Sequence, residues 1–204
     1  MYAHLCVARS VADELRAGWG LHPAVIPNGV AYERFATTDP AARAAWRARL
    51  GPYVLTVGGI EARKGSLDLI EVYAPRVIGL GIEPVVLGAV RESDLPSLVT
   101  AADVFAFPSL KEGFGLAAME ALAAGVPLVV RDLPVLREVF GPAARFADTP
   151  EALATTLAHA LTSDDPVRGA LGREPAARHT WTEAAARHLE FYRSVTGGSH
   201  RRVG

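Results

Sequence analysis

Two apolar runs, residues 104–107 and 127–130, bracket the stretch that most limits what this chain can fold into. Between them stand Pro108-Ser109-Leu110-Lys111-Glu112-Gly113-Phe114-Gly115, then a segment of helix formers over 116–124 closed by Gly125. Short apolar runs bounded by turn residues read as buried strands, and the segment between them predicts a helix with Gly125 as its C-terminal stop. Strand, turn, helix and strand in that order make a unit of an open parallel sheet. Gly113 and Gly115 let the chain turn sharply and bring backbone close to a ligand. The helix N-terminus opens onto those glycines, outside the C-terminal end of a strand, where free N–H groups and the positive end of the helix dipole favour an anion. Phosphate is the expected occupant.

Glu112 in the turn and Glu120 two turns into the helix frame that place. Taken alone, such a pair reads as a complement to the helix dipole and a solvated charge. Glu120, however, stands among Ala, Met and Leu in a helix flanked by buried strands, where an unpaired carboxylate is expensive. Helical side chains lean toward the N-terminus, so Glu120 can reach back toward the ligand end. Both residues are candidate ligand groups.

The string E-G-F-G-L-A-A-M-E-A-L-A-A-G-V-P-L-V over 112–129 resembles the E-x(7)-E segment of the family 4 retaining glycosyltransferases, which have the GT-B fold. Other pieces match in order. V-I-P-N-G-V at 25–30 resembles their interdomain segment, and V-G-G-I-E-A-R-K-G at 57–65 resembles V-G-R-L-x-x-x-K-G. L-G-A-V at 87–90, through Leu95-Pro96, resembles the segment beside the nucleobase, and Trp181 to Tyr192 the closing W-x-x-x-A helix. The match covers nearly the whole chain.

What the resemblance implies is specific. The fold is α/β, a Rossmann-like parallel sheet covered by helices on both faces, as in the donor-binding C-terminal domain of GT-B enzymes. Residues 1–28 correspond to a remnant of the acceptor-side domain and the crossing segment, 29–177 to the nucleotide-sugar donor-binding domain, and 178–204 to a C-terminal helix and tail. Almost all of the acceptor-side domain is missing by this reading. Glu112 contacts the sugar hydroxyls, Glu120 takes the ribose hydroxyls, and Val90 and Arg91 line the base. Gly58, Gly59, Arg63, Lys64, Gly113, Phe114, Gly115 and Leu116 complete the donor site, with Lys64 and Glu112 as the catalytic residues. The substrate is a UDP- or GDP-sugar, with no metal and no cofactor. The family often carries Arg where this chain has Gly59. Losing a charged donor there costs about 1.5–3 kcal/mol, or roughly 10- to 100-fold in affinity, unless Arg63 substitutes.

Length and composition agree with one cored domain. At 204 residues the chain is too short for two full Rossmann-like domains. Half the residues are hydrophobic and the formal net charge is −1, which argues against disorder and against a nucleic-acid surface. The single cysteine, Cys6, excludes an intrachain disulfide and lies in the apolar run Leu5-Cys6-Val7-Ala8, the setting of a structural thiol. The histidines lack helical metal-site spacing and no Asp-x-Asp occurs, so no metal is expected. No basic-then-apolar leader and no membrane-length apolar run is seen; the expected setting is the cytoplasm, including the inner face of the membrane.

Local signals place the remaining elements. Strands are expected at 5–8, 24–27 and 53–57, and a helix at 10–17 with Ser10 as N-cap. Asn28-Gly29 predicts positive φ. A helix over 40–50 has Asp39 as N-cap and Gly51 as its stop; another covers 66–74. The loop Gly58-Gly59 to Ser66 is neither a Walker A, which needs Gly before Lys, nor a G-x-G-x-x-G fingerprint. Residues 75–83 are too few for the strand and helix the family has there, so one strand–helix unit is read as deleted unless 77–80 forms a strand. Ser93 or Asp94 is expected to cap a helix to 101, with a short helix at 134–140 and another starting at Thr149-Pro150. Thr180-Trp181-Thr182-Glu183 is a capping box for a last helix whose stripe of Ala185, Leu189, Tyr192 and Val195 is expected to face the core.

Three readings stay open at this level: the donor-binding part of a retaining glycosyltransferase, a nucleotide-sugar binding module without catalysis, and an inactive remnant. Under the first, this chain alone is expected to bind or slowly hydrolyse donor without transferring sugar.

Overall fold

The computed structural model describes residues 2–73, 89–163 and 166–197. A small parallel pair comes first, β1 (Leu5–Cys6) and β2 (Ala24–Val25), joined by α1 (Arg9–Trp19). Helices α2 (Tyr32–Ala36) and α3 (Pro40–Leu50) lead into β3 (Val54–Leu55), followed by α4 (Ser66–Asp68), which runs into a π-helical turn at Leu69–Tyr73. Then come α5 (Leu95–Ala101), β4 (Val104–Phe107), α6 (Leu116–Ala123), β5 (Leu128–Arg131), α7 (Pro134–Phe140), β6 (Ala144–Ala147), α8 (Pro150–Thr162), α9 (Pro166–Arg178) and α10 (Trp181–Gly197). Among the described residues β3, β4, β5 and β6 form one parallel sheet in that order.

The alternation of a strand decides what each face meets. Phe105 and Phe107 of β4 join Met119 and Leu122 of α6 and Leu136 and Phe140 of α7. Val104 and Ala106 belong instead with Val129 and with Leu153 and Leu157 of α8. Strands buried on both faces are what a parallel sheet requires. The opening stretch thus folds as its residues dictate, and Gly125 (φ 75) closes α6 in a Schellman pattern, with Gly125 N–H on Leu122 O and Val126 N–H on Ala121 O, both at 3.0 Å.

Other local signals also hold. The Asp39 carboxylate accepts from Ala41 N at 2.9 Å, the Thr149 hydroxyl from Ala152 N at 3.1 Å, and the Thr180 hydroxyl from Glu183 N at 3.1 Å. Five expectations are corrected. Ser10 does not cap α1, which starts at Arg9; the N–H groups of Arg9 and Ser10 donate to the two carboxylate oxygens of Glu138 at 2.7 and 2.8 Å. A carboxylate from α7 is the stronger acceptor, and it leaves the Ser10 hydroxyl buried without a partner among the described residues. Asn28 and Gly29 do not take positive φ. Gly29 is needed for another reason: a Cβ there would lie 2.3 Å from the backbone N of Trp181, where Val30 bridges Thr180 and its N–H reaches His179 O at 2.7 Å.

Neither Ser93 nor Asp94 caps α5: Asp94 occupies the cap position with its carboxylate paired with Arg91 at 2.9 Å, and Ser93 Oγ donates to Asp94 Oδ1 at 3.2 Å. The stripe of α10 faces out: Ala185 is exposed, and so are Leu189 (49%), Tyr192 (55%) and Val195. Ala184 is the buried residue at the start of α10, with His188 and Phe191 partly covered along the same side. The apolar runs at 5–8, 24–27 and 53–57 contribute only two paired residues each. Residues 77–80, where a strand was in question, lie outside the described residues.

Candidate functional site

The site forms where two loops at the carboxyl edge of the sheet are tied together. The loop after β3 makes a 3-10 turn over Ala62–Lys64 and reverses at Gly65 (φ 65), whose missing side chain admits the carbonyl of Pro108. A Cβ there would stand 2.1 Å from that oxygen. Leu110 N–H donates to Arg63 O at 2.9 Å, and Ser66 Oγ to Gly59 O at 3.1 Å. Beneath the junction lies Arg131, the buried last residue of β5. It pairs with Asp68 of α4 and donates to the carbonyls of Pro108 and Asp148 at 3.4 and 3.3 Å.

This stitching brings Lys64 onto Glu112. The ammonium donates to Glu112 Oε1 at 2.5 Å and stands 5.7 Å above the Phe107 ring, with the two side chains only 24% and 13% exposed. Just beyond, Gly115 (φ 90) opens α6; a Cβ there would press on Phe140 at 3.1 Å. The helix begins with no side-chain cap and no acid in its first turn, and its N-terminus follows the turn that carries Glu112.

Glu120 stands further along α6, half-buried, with no hydrogen bond or ion pair among the described residues. Burial raises its carboxyl above the ordinary value; Arg34 of α2 pulls it back down and Glu92 adds to the rise. A partly desolvated carboxylate without donors is held at an energetic cost. Arg34 holds the segment ahead of α5: Nη1 pairs with Glu92 Oε1 at 2.8 Å and Nη2 donates to the Glu92 carbonyl.

The remaining expected residues divide. Gly58, Gly59 and Leu116 are exposed at the same edge, Gly113 is partly covered near Val7, and Val90 is half-buried against the main core. Phe114 is buried with its ring 5.7 Å from that of His179. Arg63 is turned to Glu61 at 3.0 Å and is 61% exposed, and Arg91, paired with Asp94, is 82% exposed. Neither guanidinium joins Lys64. Sequence reasoning missed Arg131 and Arg34. A charged residue ending the apolar run of β5 was a signal for the first; nothing local marks the second.

A parallel sheet with a cation, a free helix N-terminus and an unpaired carboxylate at its carboxyl edge is the architecture of α/β proteins that hold phosphorylated ligands. The family model described as glycosyl transferases group 1 matches residues 78–186, more than half of the chain, and the chain belongs to that family. O-antigen chain mannosyltransferase B of Escherichia coli is 38% identical over 112 residues, 52% of this chain and 29% of that protein. The phosphatidyl-myo-inositol mannosyltransferase of Mycobacterium leprae (strain TN) is 28% identical over 236 residues, 97% of this chain and 62% of that protein. An alignment of 236 positions over a 204-residue chain needs gaps in this chain, so that relative carries segments this one lacks. The chain spans less than two thirds of the length of either relative. The crystal structure of Anabaena HepE in complex with UDP and glucose superposes with a TM-score of 0.77 at 19% identity, covering 94% of this chain and 63% of that one. The shared fold is that of the GT-B glycosyltransferases.

Proposed function

We propose that this chain is the donor-binding part of a retaining glycosyltransferase, taking a hexosyl unit from a UDP- or GDP-sugar. The observation that carries the reading is the meeting of Lys64 and Glu112 at the uncapped start of α6. In such a transfer the bond from the anomeric carbon to the diphosphate breaks, its electron pair leaving with the diphosphate oxygen. The acceptor hydroxyl bonds to that carbon on the same face, and its proton passes to the departing diphosphate. Negative charge therefore grows on the diphosphate, and fixed donors aimed there are the main electrostatic aid. Lys64 and the α6 N-terminus are those donors. Glu112 accepts from the sugar hydroxyls and Glu120 from the ribose, with residues 29–177 as the donor domain and no metal in the scheme. The bound UDP of the Anabaena protein supports the ligand class. The acceptor side is contributed by a separate or additional domain.

A second reading, a binding module without transfer, is favoured by Arg63. Its guanidinium is turned to Glu61 and does not join Lys64, so the two cations are not paired for a diphosphate.

Calorimetry with UDP, GDP and their sugars tests the assignment. Glu120→Ala is expected to weaken the nucleoside diphosphate, and Glu112→Ala mainly the intact nucleotide sugar. Equal losses for both ligands in both variants would remove the division of roles.

A further inference from the structure

We propose that Arg34 is a positioning residue for the nucleoside half of the donor, its guanidinium fork fixing the 90–92 segment beside Glu120. The inference rests on the donor-binding reading above. Arg34 lies on α2, a five-residue helix anchored by buried Phe35 and packed against both α5 and α6. From there one planar group grips residue 92 twice, at its carboxylate and at its main-chain carbonyl. The carboxylate of Glu92 is 83% exposed, so its ion pair adds little to stability. The main-chain bond is different: it fixes the path of the backbone just after Val90, which is half-buried against the main core. A Lys at 34 could supply the charge without the fork.

The same guanidinium also acts on Glu120. The charged groups facing that carboxylate are Arg34 and Glu92. Helix α5 and strand β4 carry no ionisable side chain, Arg131 of β5 is paired with Asp68, and Arg173 of α9 lies against Gly125 at the far end of α6. Arg34 is thus the cation that favours the ionised, hydroxyl-accepting form of Glu120. One residue joins the segment ahead of α5 to the carboxylate of α6, and it does so without reaching the Lys64–Glu112 pair.

The test titrates the full chain with UDP, GDP and inorganic pyrophosphate across pH. Arg34→Met is expected to lower affinity for the preferred nucleoside diphosphate about 10- to 100-fold and to leave pyrophosphate unchanged. Its acid limb is expected to move to higher pH, because Glu120 then takes its proton more readily. Arg34→Lys keeps that limb near the wild-type position and loses affinity through the missing fork. Glu92→Ala, which retains the main-chain grip, is expected to lose less than Arg34→Met. Unchanged nucleoside diphosphate affinity in Arg34→Met, or equal loss of pyrophosphate and nucleoside diphosphate, overturns the role of Arg34. Failure of the wild-type chain to bind either nucleoside diphosphate is a separate result, and sinks the donor-binding reading itself.

Discussion

Replacing Gly65 by alanine tests whether the site depends on two backbones touching. The residue is at φ 65, and an added Cβ would meet Pro108 O at 2.1 Å, its carbonyl carbon at 2.8 Å and its Cβ at 3.1 Å. Left-handed backbone costs an L-residue about 1–2 kcal/mol. Overpacking against neighbours that cannot rotate away adds roughly 1–3 kcal/mol. The loops are held by Leu110 N–H on Arg63 O, so relief requires parting them and drawing Lys64 off Glu112. The sum, about 2–5 kcal/mol, corresponds to a fall in Tm of roughly 4–20 °C for a chain of this size. Gly20→Ala is the control: its φ is 64, but nothing lies within 4 Å of an added Cβ, so only the backbone term applies. Thermal unfolding and UDP or GDP calorimetry on both variants separate the effects. Gly65→Ala should lose both stability and diphosphate affinity; Gly20→Ala should lose about 1–2 kcal/mol of stability and no affinity. Equal behaviour of the two variants would refute the argument from close approach.

Lys64→Met is expected to weaken nucleoside diphosphate binding about 10- to 100-fold by calorimetry. Glu120→Gln should gain stability relative to wild type as pH rises. Because burial raises the carboxyl in the folded chain, the folded state keeps that proton to higher pH than the unfolded chain. The cost of ionising it is absent below the unfolded value of about 4.3 and complete above the folded one, so the difference in Tm between variant and wild type should grow as pH rises through that window. Glu138→Ala removes the acceptor of two N–H groups at the start of α1 and should cost about 1 kcal/mol in denaturant unfolding. Gly29→Ala places a Cβ 2.3 Å from backbone and should destabilise by several times as much in the same measurement, about 2–5 kcal/mol.

Where structure follows from a few neighbouring residues, it was legible. Asp39, Thr149, Thr180 and Gly125 each begin or end a helix through contacts within a few positions, and each does what its type predicts. Where the deciding partner is distant, local reading failed. Ser10 looked like a cap because Glu138 cannot be foreseen from position 10, and Gly29 looked like a turn residue because Trp181 is brought there only by the complete fold. The stripe of α10 has a core-like period, but a period says which residues share a face and not what covers it. The site divides in the same way. Lys64, Glu112 and the glycines belong to recognisable strings, while Arg34 and Arg131 act through geometry between elements far apart in the chain.

The contact between Gly29-Val30 and Thr180-Trp181 gives the domain an order of assembly. Among the described residues β3, β4, β5 and β6 pair in the order in which they are made, so that sheet can be extended step by step as the chain is synthesised. The segment entering the domain has to wait for residues 179–181. At synthesis rates of about 5–20 residues per second, the roughly 150 residues separating the two ends of that contact take on the order of 10–30 s to appear. Throughout that interval the Val30 N–H lacks its native acceptor, the carbonyl of His179. A nascent chain arrested before His179 therefore lacks the partner that seals the segment at Val30 to the rest of the domain.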